Sequence, residues 1–438
     1  MADQNNIIRE RIDSGPMTRA QIIIVALGFI LNCVDGIDVV SMSVAAPVLS
    51  ESWQISSVEV GYILSAALVG MCIGAMFLAP LADQYGRRKI VLYSALLTGF
   101  SMIATGFVDR SVEMMILIRA ISGLGIGAIF ASAATFGGEF TPERFKNFTV
   151  TIIVSGYPFG AAVVGPIAAY ILPAYGWQTL FICAGIATLF ICFLAFLLLP
   201  ESVQYLERSK GEASEKIAAI NKVLVRISRE PIDQLPEIDK TTEIKAADVK
   251  SLIGPDLIKT TLKLWAIFFT GYLGIYFIIS WVPSLFVNSG WTMSQGIYAL
   301  TLSNVGAVFG TTCIGLITTR FKQAVPIGIF FGLTAMLMIY FTVSEPTELM
   351  MLYILIFLIG VFLNGAFSAM FAVAARTYQT SIRSTGIGWC AGLGRTGAIV
   401  APILAGYLVA QNFDMYALFA VFAVPVIIAA ALIVTIKV

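Results

Sequence analysis

The chain has 438 residues, of which 58% are hydrophobic and 12% are charged, and its mean hydropathy is +0.89. Soluble domains carry about 25% charged residues, so this composition excludes a soluble enzyme and a disordered protein. The net charge of +1 comes without a basic tail or stripe, which excludes a nucleic-acid binder. A polytopic all-α membrane protein remains, because the apolar runs are about twice as long as the strands of a transmembrane β-barrel and do not alternate.

Two residue types narrow the chemistry. The chain contains no histidine, so it has no imidazole group that could act as a metal ligand or as a proton relay. All six cysteines fall inside apolar runs without a CxxC pair, which indicates small core side chains and argues against a disulfide framework or a zinc site. We therefore expect no metal and no cofactor, and any proton exchanged near neutral pH would be carried by a carboxylate.

Apolar runs of about 20 residues, the length that crosses a bilayer, follow one another along the chain. The predicted spans are 21–48, 58–81, 90–107, 114–138, 149–172 and 177–199 and, after a polar stretch, 262–287, 295–319, 325–342, 347–375, 385–410 and 415–435. The pattern predicts 12 transmembrane helices in two six-helix bundles, residues 1–199 and 262–438, which are joined by a linker of residues 200–261. Within the linker, residues 212–229 predict a short amphipathic helix.

Lys and Arg residues are unevenly distributed between alternate loops. If the N-terminus is placed inside, 24 of the 27 basic residues fall in inner segments and only Arg110 falls in an outer loop. This asymmetry follows the positive-inside rule and predicts that both termini are cytoplasmic. The polar segment 1–19 does not have the form of a cleaved signal peptide. We therefore expect a multi-pass protein of a bacterial inner (plasma) membrane whose first span is an uncleaved insertion signal.

Span 1 carries two aspartates, Asp35 and Asp38, in its outer half. Their i,i+3 spacing places both on one face of the helix, and Gly36 between them leaves room for another helix or a ligand. Charged residues inside a span cost about 2.5–3.5 kcal/mol each, so they face a bundle interior and are functional candidates. Two carboxylates this close in a low dielectric do not both ionise easily. The pair therefore predicts proton exchange, and a static salt-bridge network is the alternative.

Two arginines also lie within predicted spans. Arg119 falls in span 4 at a depth similar to that of the aspartates, and we predict that it pairs with one of them and that protonation loosens the pair. Arg395 falls near the midplane in span 11, among Gly392, Gly394 and Gly397, which would leave open space beside it. Because a guanidinium binds a carboxylate through two hydrogen bonds, Arg395 predicts an anionic substrate. The alternative is a buried partner for an acid on a neighbouring span.

One sequence offset aligns two separate regions of the chain. A shift of 236 residues places 165–169 on 401–405 and 81–85 on 317–321. A single offset that serves both regions favours two halves related as a parallel repeat, with a substrate site near the midplane where the halves meet.

Three segments of the first half resemble signature motifs of the major facilitator superfamily. Residues 81–89 read LADQYGRRK, residues 119–127 read RAISGLGIG, and residues 200–202 read PES. The resemblance implies the two-bundle transporter fold and a latch on the cytoplasmic side. The gate residues that it implies are Asp83, Arg87, Arg88, Glu139, Arg144 and Arg383.

Within that superfamily, the chain resembles the aromatic acid:proton symporters. The similarity is carried by DGID at 35–38, SWVP at 280–283, YQTSIRSTG at 378–386 and GRTG at 394–397. It implies that Asp35 and Asp38 couple the proton, and that Arg119 and Arg395 are needed for the substrate. An aromatic substrate also requires apolar contacts, and the candidates by depth are Tyr157, Phe159, Tyr272, Tyr276, Phe367, Phe371 and Trp389.

The sequence thus predicts a monomeric, proton-coupled importer of an aromatic carboxylate such as benzoate or a hydroxybenzoate, working by alternating access in a lipid bilayer. Its partner would be a small organic anion, and its coupling ion a proton. Import of a sugar acid or an aliphatic carboxylate and export by proton antiport are the alternatives within transport. A membrane-embedded enzyme or receptor lacks support, because the sequence has no histidine, no nucleophile elbow and no folded extramembrane domain.

Overall fold

The computed structural model describes residues 7–209, 212–235, 249–255, 257–318, 323–379 and 382–436. Within these ranges the regular secondary structure is helical. The helices are α1 (Ile7–Asp13), α2 (Arg19–Trp53), α3 (Ser57–Ile73), α4 (Ala82–Tyr85), α5 (Arg87–Thr105), α6 (Val112–Glu139), α7 (Glu143–Leu198), α8 (Val203–Arg208), α9 (Ala213–Arg226), α10 (Ile258–Asn288), α11 (Met293–Ile317), α12 (Ala324–Ser344), α13 (Leu349–Thr377), α14 (Arg383–Ala410) and α15 (Met415–Val434). Residues 236–248 of the predicted linker, 319–321 of the aligned repeat and 380–381 of the 378–386 motif lie outside the described residues.

Ten helices of the described chain are long and apolar enough to cross a membrane. One of them, α7, has 56 residues, and Gly176 within it has φ 78° and ψ 168°, a conformation that glycine adopts far more readily than other residues. The helix is therefore two rods joined at Gly176, which match the predicted spans 149–172 and 177–199. The predicted span 90–107 corresponds to α5, which is not among the ten and packs on α6 and α7. The count of 12 crossings stays a prediction.

Polar caps set where several spans begin. The Thr18 side chain accepts a hydrogen bond from the Gln21 amide, and the Gln21 side chain accepts one from the Thr18 amide, so that α2 starts with a capping box. Ser56 and Glu59 start α3 in the same way, and Thr292 starts α11. These side chains satisfy backbone N–H groups that the first helical turn leaves unpaired, which is essential near the apolar layer of a membrane.

The helices pack as two sets. In the first helix set, α1–α9, the main contacts are α2 with α7, α3 with α6, and α5 with α6 and α7. In the second helix set, α10–α15, they are α11 with α13, α10 with α14, and α12 with α15. Across the boundary, α3 contacts α14, α7 contacts α11, and α2 contacts α10. The boundary between the sets is therefore formed by α2, α3 and α7 on one side and by α10, α11 and α14 on the other.

Glycines allow α2 and α7 to approach closely. A Cβ atom on Gly36 would overlap the backbone of Tyr157, and one on Gly160 would overlap the backbone of Cys33. Small residues at such crossings let helix backbones meet in a membrane. The space that Gly36 leaves between the two aspartates is thus occupied by a helix, α7.

The first helix set has two distinguishable ends. At one of them, here called the α9 end, Ile8 and Ile12 of α1 share an apolar core with Ile220 and Leu224 of α9. The predicted amphipathic helix 212–229 is observed there as α9. The opposite end, where α2 stops at Trp53 and α3 begins, is called the Trp53 end.

The two helix sets contact each other toward the Trp53 end. The Ser43 hydroxyl donates to the Ile279 carbonyl at 2.5 Å, and the Ser65 hydroxyl donates to the Ile399 carbonyl at 2.8 Å. Gly61, near the start of α3, lies against the backbone of Pro402 in α14. The structure is therefore closed between the sets at this end.

Candidate functional site

Asp38 and Arg119 form a buried ion pair between α2 and α6. Arg119 Nη1 lies 2.6 Å from Asp38 Oδ1 and Nη2 lies 2.8 Å from Oδ2, so two parallel hydrogen bonds hold the carboxylate. The Ser122 hydroxyl donates a third hydrogen bond to Oδ1 at 3.2 Å. The side chains of Asp38 and Arg119 are 0% and 1% exposed. The predicted pairing of Arg119 with one of the two aspartates is thus found, and its loosening by protonation stays a prediction.

Asp35 lies three residues nearer to the α9 end and has no such partner. Its side chain is 3% exposed, and its Oδ1 atom accepts no hydrogen bond within the described chain. Asp35 is close enough to Arg395 and Asp38 to interact with their charges. Among the described residues, however, no Lys or Arg side chain forms an ion pair with Asp35. The two aspartates of span 1 therefore occupy different environments, one neutralised and one open to a new partner.

Arg395 projects from α14 toward the first helix set. Its guanidinium carbon lies 5.3 Å from the centre of the Phe130 ring on α6, a distance at which the ring face attracts a cation. Its Nη1 atom is buried and donates no hydrogen bond within the described residues. The guanidinium is also close enough to interact electrostatically with Tyr272, Tyr276 and Asp35. A buried guanidinium with an unused N–H group, placed between two helix sets, can bind an anion.

The glycines around Arg395 divide into two kinds. Gly394 lies against Phe268 and Gly397 against Phe269, so α10 fills the space beside them. Gly392, in contrast, has no atom within 4 Å of the place where a Cβ would stand. The prediction of open space beside Arg395 holds for Gly392 and is wrong for Gly394 and Gly397, because the α10–α14 contact requires those two glycines.

An aromatic cluster lies beside Arg395 on α10 and α13. Its members are Phe268, Tyr272, Tyr276, Phe367 and Phe371. Tyr272 and Phe367 meet edge to face with ring centres 4.4 Å apart, and Tyr272 and Tyr276 lie 6.0 Å apart. These are ordinary distances for interacting rings. The cluster is a wall against which a further ring could pack.

The cluster includes Phe268, which was not among the ring contacts predicted from the sequence. Phe268, Tyr272 and Tyr276 recur at intervals of four residues along α10, so one face of this helix is aromatic. This four-residue spacing of aromatic residues could have predicted from the sequence that Phe268 belongs to the cluster. Phe130 was also missed, because an apolar ring in an apolar span carries no signal until the fold brings Arg395 over it.

The other three predicted ring contacts, Tyr157, Phe159 and Trp389, differ in their relation to the cluster. Tyr157 on α7 lies near Asp35 and near Tyr276, so it adjoins the cluster from the first helix set. Phe159 is 53% exposed and packs on Phe29 with ring centres 5.3 Å apart. Trp389 packs on Trp265 at 6.0 Å. Phe159 and Trp389 are thus not members of the cluster.

Four of the predicted gate residues meet in one network at the α9 end. Arg87 forms ion pairs with Glu139 and, at 3.2 Å, with Asp83. The Ser202 hydroxyl donates to Glu139 Oε2 at 2.5 Å. The Arg88 amide donates to Glu201 Oε1 at 3.0 Å. The network joins α4, α5, α6 and α8, all of which belong to the first helix set.

The remaining two predicted gate residues lie apart from this network. Arg144, at the start of α7, donates to the Gly15 carbonyl at 2.8 Å, and its guanidinium lies over the Phe145 ring at 4.8 Å. Arg383 is exposed at the first residue of α14, in the second helix set. The structure therefore places the six residues in three locations.

Comparisons with known proteins agree on a family. The chain matches the Major Facilitator Superfamily model over residues 28–347 and 264–437. It is 31% identical to the "4-hydroxybenzoate transporter PcaK" of Acinetobacter baylyi, covering 96% of this chain and 92% of that protein. It is 29% identical to the "Benzoate transport protein" of the same organism, with coverage of 96% and 90%, and 29% identical to the "Gallate transporter" of Pseudomonas putida, with coverage of 97% and 93%.

Solved structures show the same fold at low sequence identity. The chain superimposes on a D-xylose-proton symporter with a TM-score of 0.71 at 15% identity, covering 94% of this chain and 97% of that one. It superimposes on the inward-open conformation of the xylose transporter XylE from E. coli with a TM-score of 0.71 at 14% identity, with coverage of 95% and 96%. The likeness extends over nearly the whole chain, so the two helix sets have the arrangement found in these transporters.

Proposed function

This chain belongs to the major facilitator superfamily of transporters, and from that premise we propose that it moves an aromatic carboxylate across the membrane together with a proton. The observation that carries the proposal is the buried Nη1 atom of Arg395, which donates no hydrogen bond within the described residues while the guanidinium lies beside Tyr272 of the aromatic cluster and near Asp35. The named relatives transport 4-hydroxybenzoate, benzoate and gallate, each a single ring with one carboxylate. A cation beside an aromatic wall is the arrangement that such a molecule requires.

The carboxylate of the substrate would bind Arg395. The planar guanidinium offers two parallel N–H groups that match the two oxygens of a carboxylate. The ring would then pack against Tyr272 and Phe367, since aromatic pairs are favourable at centre distances of about 4.5–7 Å. An aliphatic acid would bind the same arginine but would leave this wall without a partner ring.

Charge balance would couple the substrate to the proton. Of the four charged residues predicted inside the spans, Asp38 and Arg119 neutralise each other. Asp35 and Arg395 are the other two. A substrate carboxylate bound to Arg395 brings a second anion beside Asp35, and two carboxylates so close do not both remain ionised in a low dielectric. Protonation of Asp35 removes this repulsion, so the proton and the substrate favour each other's binding. In this scheme Asp35 carries the proton and Asp38 holds α2 on α6.

Transport would proceed by alternating access. By the positive-inside rule the α9 end faces the cytoplasm, so the contacts of Ser43 and Ser65 across the helix sets close the outer side. For the substrate to enter from outside, these contacts would have to separate while the sets close at the α9 end. The Arg87–Glu139 network lies where such a closure would be latched.

Uptake into proteoliposomes tests the proposal. We expect labelled benzoate or 4-hydroxybenzoate to accumulate under an inward proton gradient and only to equilibrate without one. Asp35→Asn should abolish gradient-driven accumulation while retaining exchange of internal for external substrate. Asp109→Asn, at an exposed carboxylate between α5 and α6, is the matched control and should behave as wild type. Accumulation that is independent of the gradient would contradict symport, and competition by aliphatic acids alone would contradict an aromatic substrate.

A further inference from the structure

Asn32 is a buried amide whose oxygen has no partner. Its side chain is 0% exposed, and its Nδ2 atom donates to the Gly28 carbonyl one turn earlier in α2, at 3.2 Å. A carbonyl oxygen only accepts hydrogen bonds, so this contact fixes which end of the amide is the nitrogen. The Oδ1 atom therefore points away from Gly28, and it accepts no hydrogen bond among the described residues.

The position of Asn32 places it at the edge of the substrate site. It precedes Asp35 by three residues, so both lie on one face of α2. On the α7 side, the Asn32 Cβ is a close neighbour of Gly156, and the next residue along α7 is Tyr157. Asn32 and Asp35 thus present two unused acceptor oxygens on the α2 side, while Arg395 presents an unused donor on the α14 side.

Buried polar atoms without partners are rare in folded proteins, and each one calls for a water, an ion or a ligand. In this site, the unused N–H group of Arg395 is suited to bind a carboxylate. The unused oxygens of Asn32 and Asp35 are suited to accept a hydrogen bond from a donor group of the substrate. A benzoate ring carries nothing that could donate a hydrogen bond to them. A phenolic hydroxyl group on the same ring would do so.

We propose that Asn32 is a specificity-determining residue, whose Oδ1 accepts a hydrogen bond from a ring hydroxyl of the substrate. The inference rests on the proposed function and deepens it, because it makes hydroxylated aromatic acids the preferred substrates. Benzoate would bind through Arg395 and the aromatic cluster but would leave the amide oxygen buried and unpaired. A site built to receive a hydroxyl group discriminates strongly against the analogue that lacks it.

The experiment is competition against uptake of a labelled hydroxybenzoate by wild-type proteoliposomes. The competitors are 2-, 3- and 4-hydroxybenzoate, benzoate and 4-fluorobenzoate. We expect at least one hydroxybenzoate to inhibit at concentrations about tenfold lower than benzoate or 4-fluorobenzoate do. Equal inhibition by all five acids would overturn this inference and leave the proposed function intact. Absence of inhibition by any of them would instead contradict the proposed function.

Substitution of Asn32 separates recognition from structure. In Asn32→Ala and Asn32→Ser, we expect inhibition by benzoate to be retained and the preference for the hydroxylated acid to fall by about tenfold. Asn304→Ala is the matched control, since Asn304 Nδ2 makes the same bond to a carbonyl one turn earlier, at 3.1 Å, and its Oδ1 atom is not among the buried side-chain atoms that lack a partner. An equal loss of benzoate and hydroxybenzoate binding in both Asn32 variants would show a structural role and overturn the proposal.

Discussion

The two aspartates of α2 show how strongly the surroundings decide what a carboxylate can do. Asp38 meets a guanidinium through two hydrogen bonds and a serine through a third, so its charge is fully compensated. Asp35, less than one turn away, is equally buried but has an oxygen without a partner. A compensated charge is a structural tie, whereas an uncompensated one responds to a proton or to a ligand.

Replacing each aspartate by asparagine should therefore have different consequences. Asp38→Asn leaves Arg119 as an unpaired buried charge, which costs about 3–5 kcal/mol of stability. Asp35→Asn breaks no ion pair and should unfold close to wild type. Thermal unfolding in detergent measures the difference, and equal melting temperatures for the two variants would contradict the assignment. Both variants should lose accumulation driven by a proton gradient, Asp38→Asn because the site loses its shape.

Arg395→Lys tests whether the substrate site reads the shape of a carboxylate as well as its charge. Lysine keeps the positive charge but has no planar fork, so we expect substrate affinity to fall about 10- to 100-fold. Arg376→Lys, at an exposed position near the end of α13, should leave uptake unchanged. Unaltered affinity in Arg395→Lys would place the carboxylate elsewhere.

At the scale of the helices, the close crossing of α2 and α7 positions the site. Gly36 and Gly160 allow backbone contact, and Asp35 and Tyr157 lie next to these contacts. The positions of the Asp35 and Tyr157 side chains in the site therefore depend on how closely α2 and α7 approach each other. In a membrane such an approach rests on packing, because lipid provides no hydrophobic drive between helices.

Gly36→Ala should separate α2 from α7. The added Cβ would overlap the Tyr157 backbone, and we expect a loss of about 1–3 kcal/mol in stability together with reduced uptake. Gly332→Ala on α12 is the control, since nothing lies within 4 Å of its added Cβ. It should leave unfolding unchanged or slightly raise its temperature, because alanine favours helix over glycine. Normal uptake and normal unfolding in Gly36→Ala would show that the crossing tolerates expansion.

At the scale of the whole molecule, the two helix sets touch through small residues at the Trp53 end. Ser43, Ser65 and Gly61 contribute hydroxyl groups or no side chain to this contact. The interface is held by a few hydrogen bonds to backbone carbonyls and by close packing. Such a contact can separate without leaving buried charges unpaired, as a rocking motion requires.

Joining the sets at this end should stop transport. We expect Ser65→Cys with Ile399→Cys, linked by a short bifunctional thiol reagent, to lose uptake, because the outer side can no longer open. Each single variant treated with the same reagent controls for modification of the six native cysteines. Reduction of a cleavable linker should restore uptake. Full uptake by a linked protein would contradict alternating access about this interface.

Apolar run length and composition were enough to predict the helices, since a bilayer accepts few other structures. The intramembrane charges were visible for a related reason: Asp35, Asp38, Arg119 and Arg395 are costly in lipid, so each one indicates a function or a partner. The choice of partner was decided only by the tertiary structure. Both aspartates share one face of α2, and the packing of α6 against that helix determines that Arg119 meets Asp38.

The same division applies to the apolar side of the site. Aromatic rings are common in this chain, which has 30 Phe and 15 Tyr residues. The predicted depth in the membrane therefore could not distinguish Phe159 from Phe367. In the structure, Phe159 packs on Phe29 and faces outward, whereas Phe367 belongs to the aromatic cluster. The unpartnered oxygen of Asn32 was equally invisible in the sequence. Whether a polar atom finds a partner depends on every helix packed around it, and only the folded chain brings those helices together.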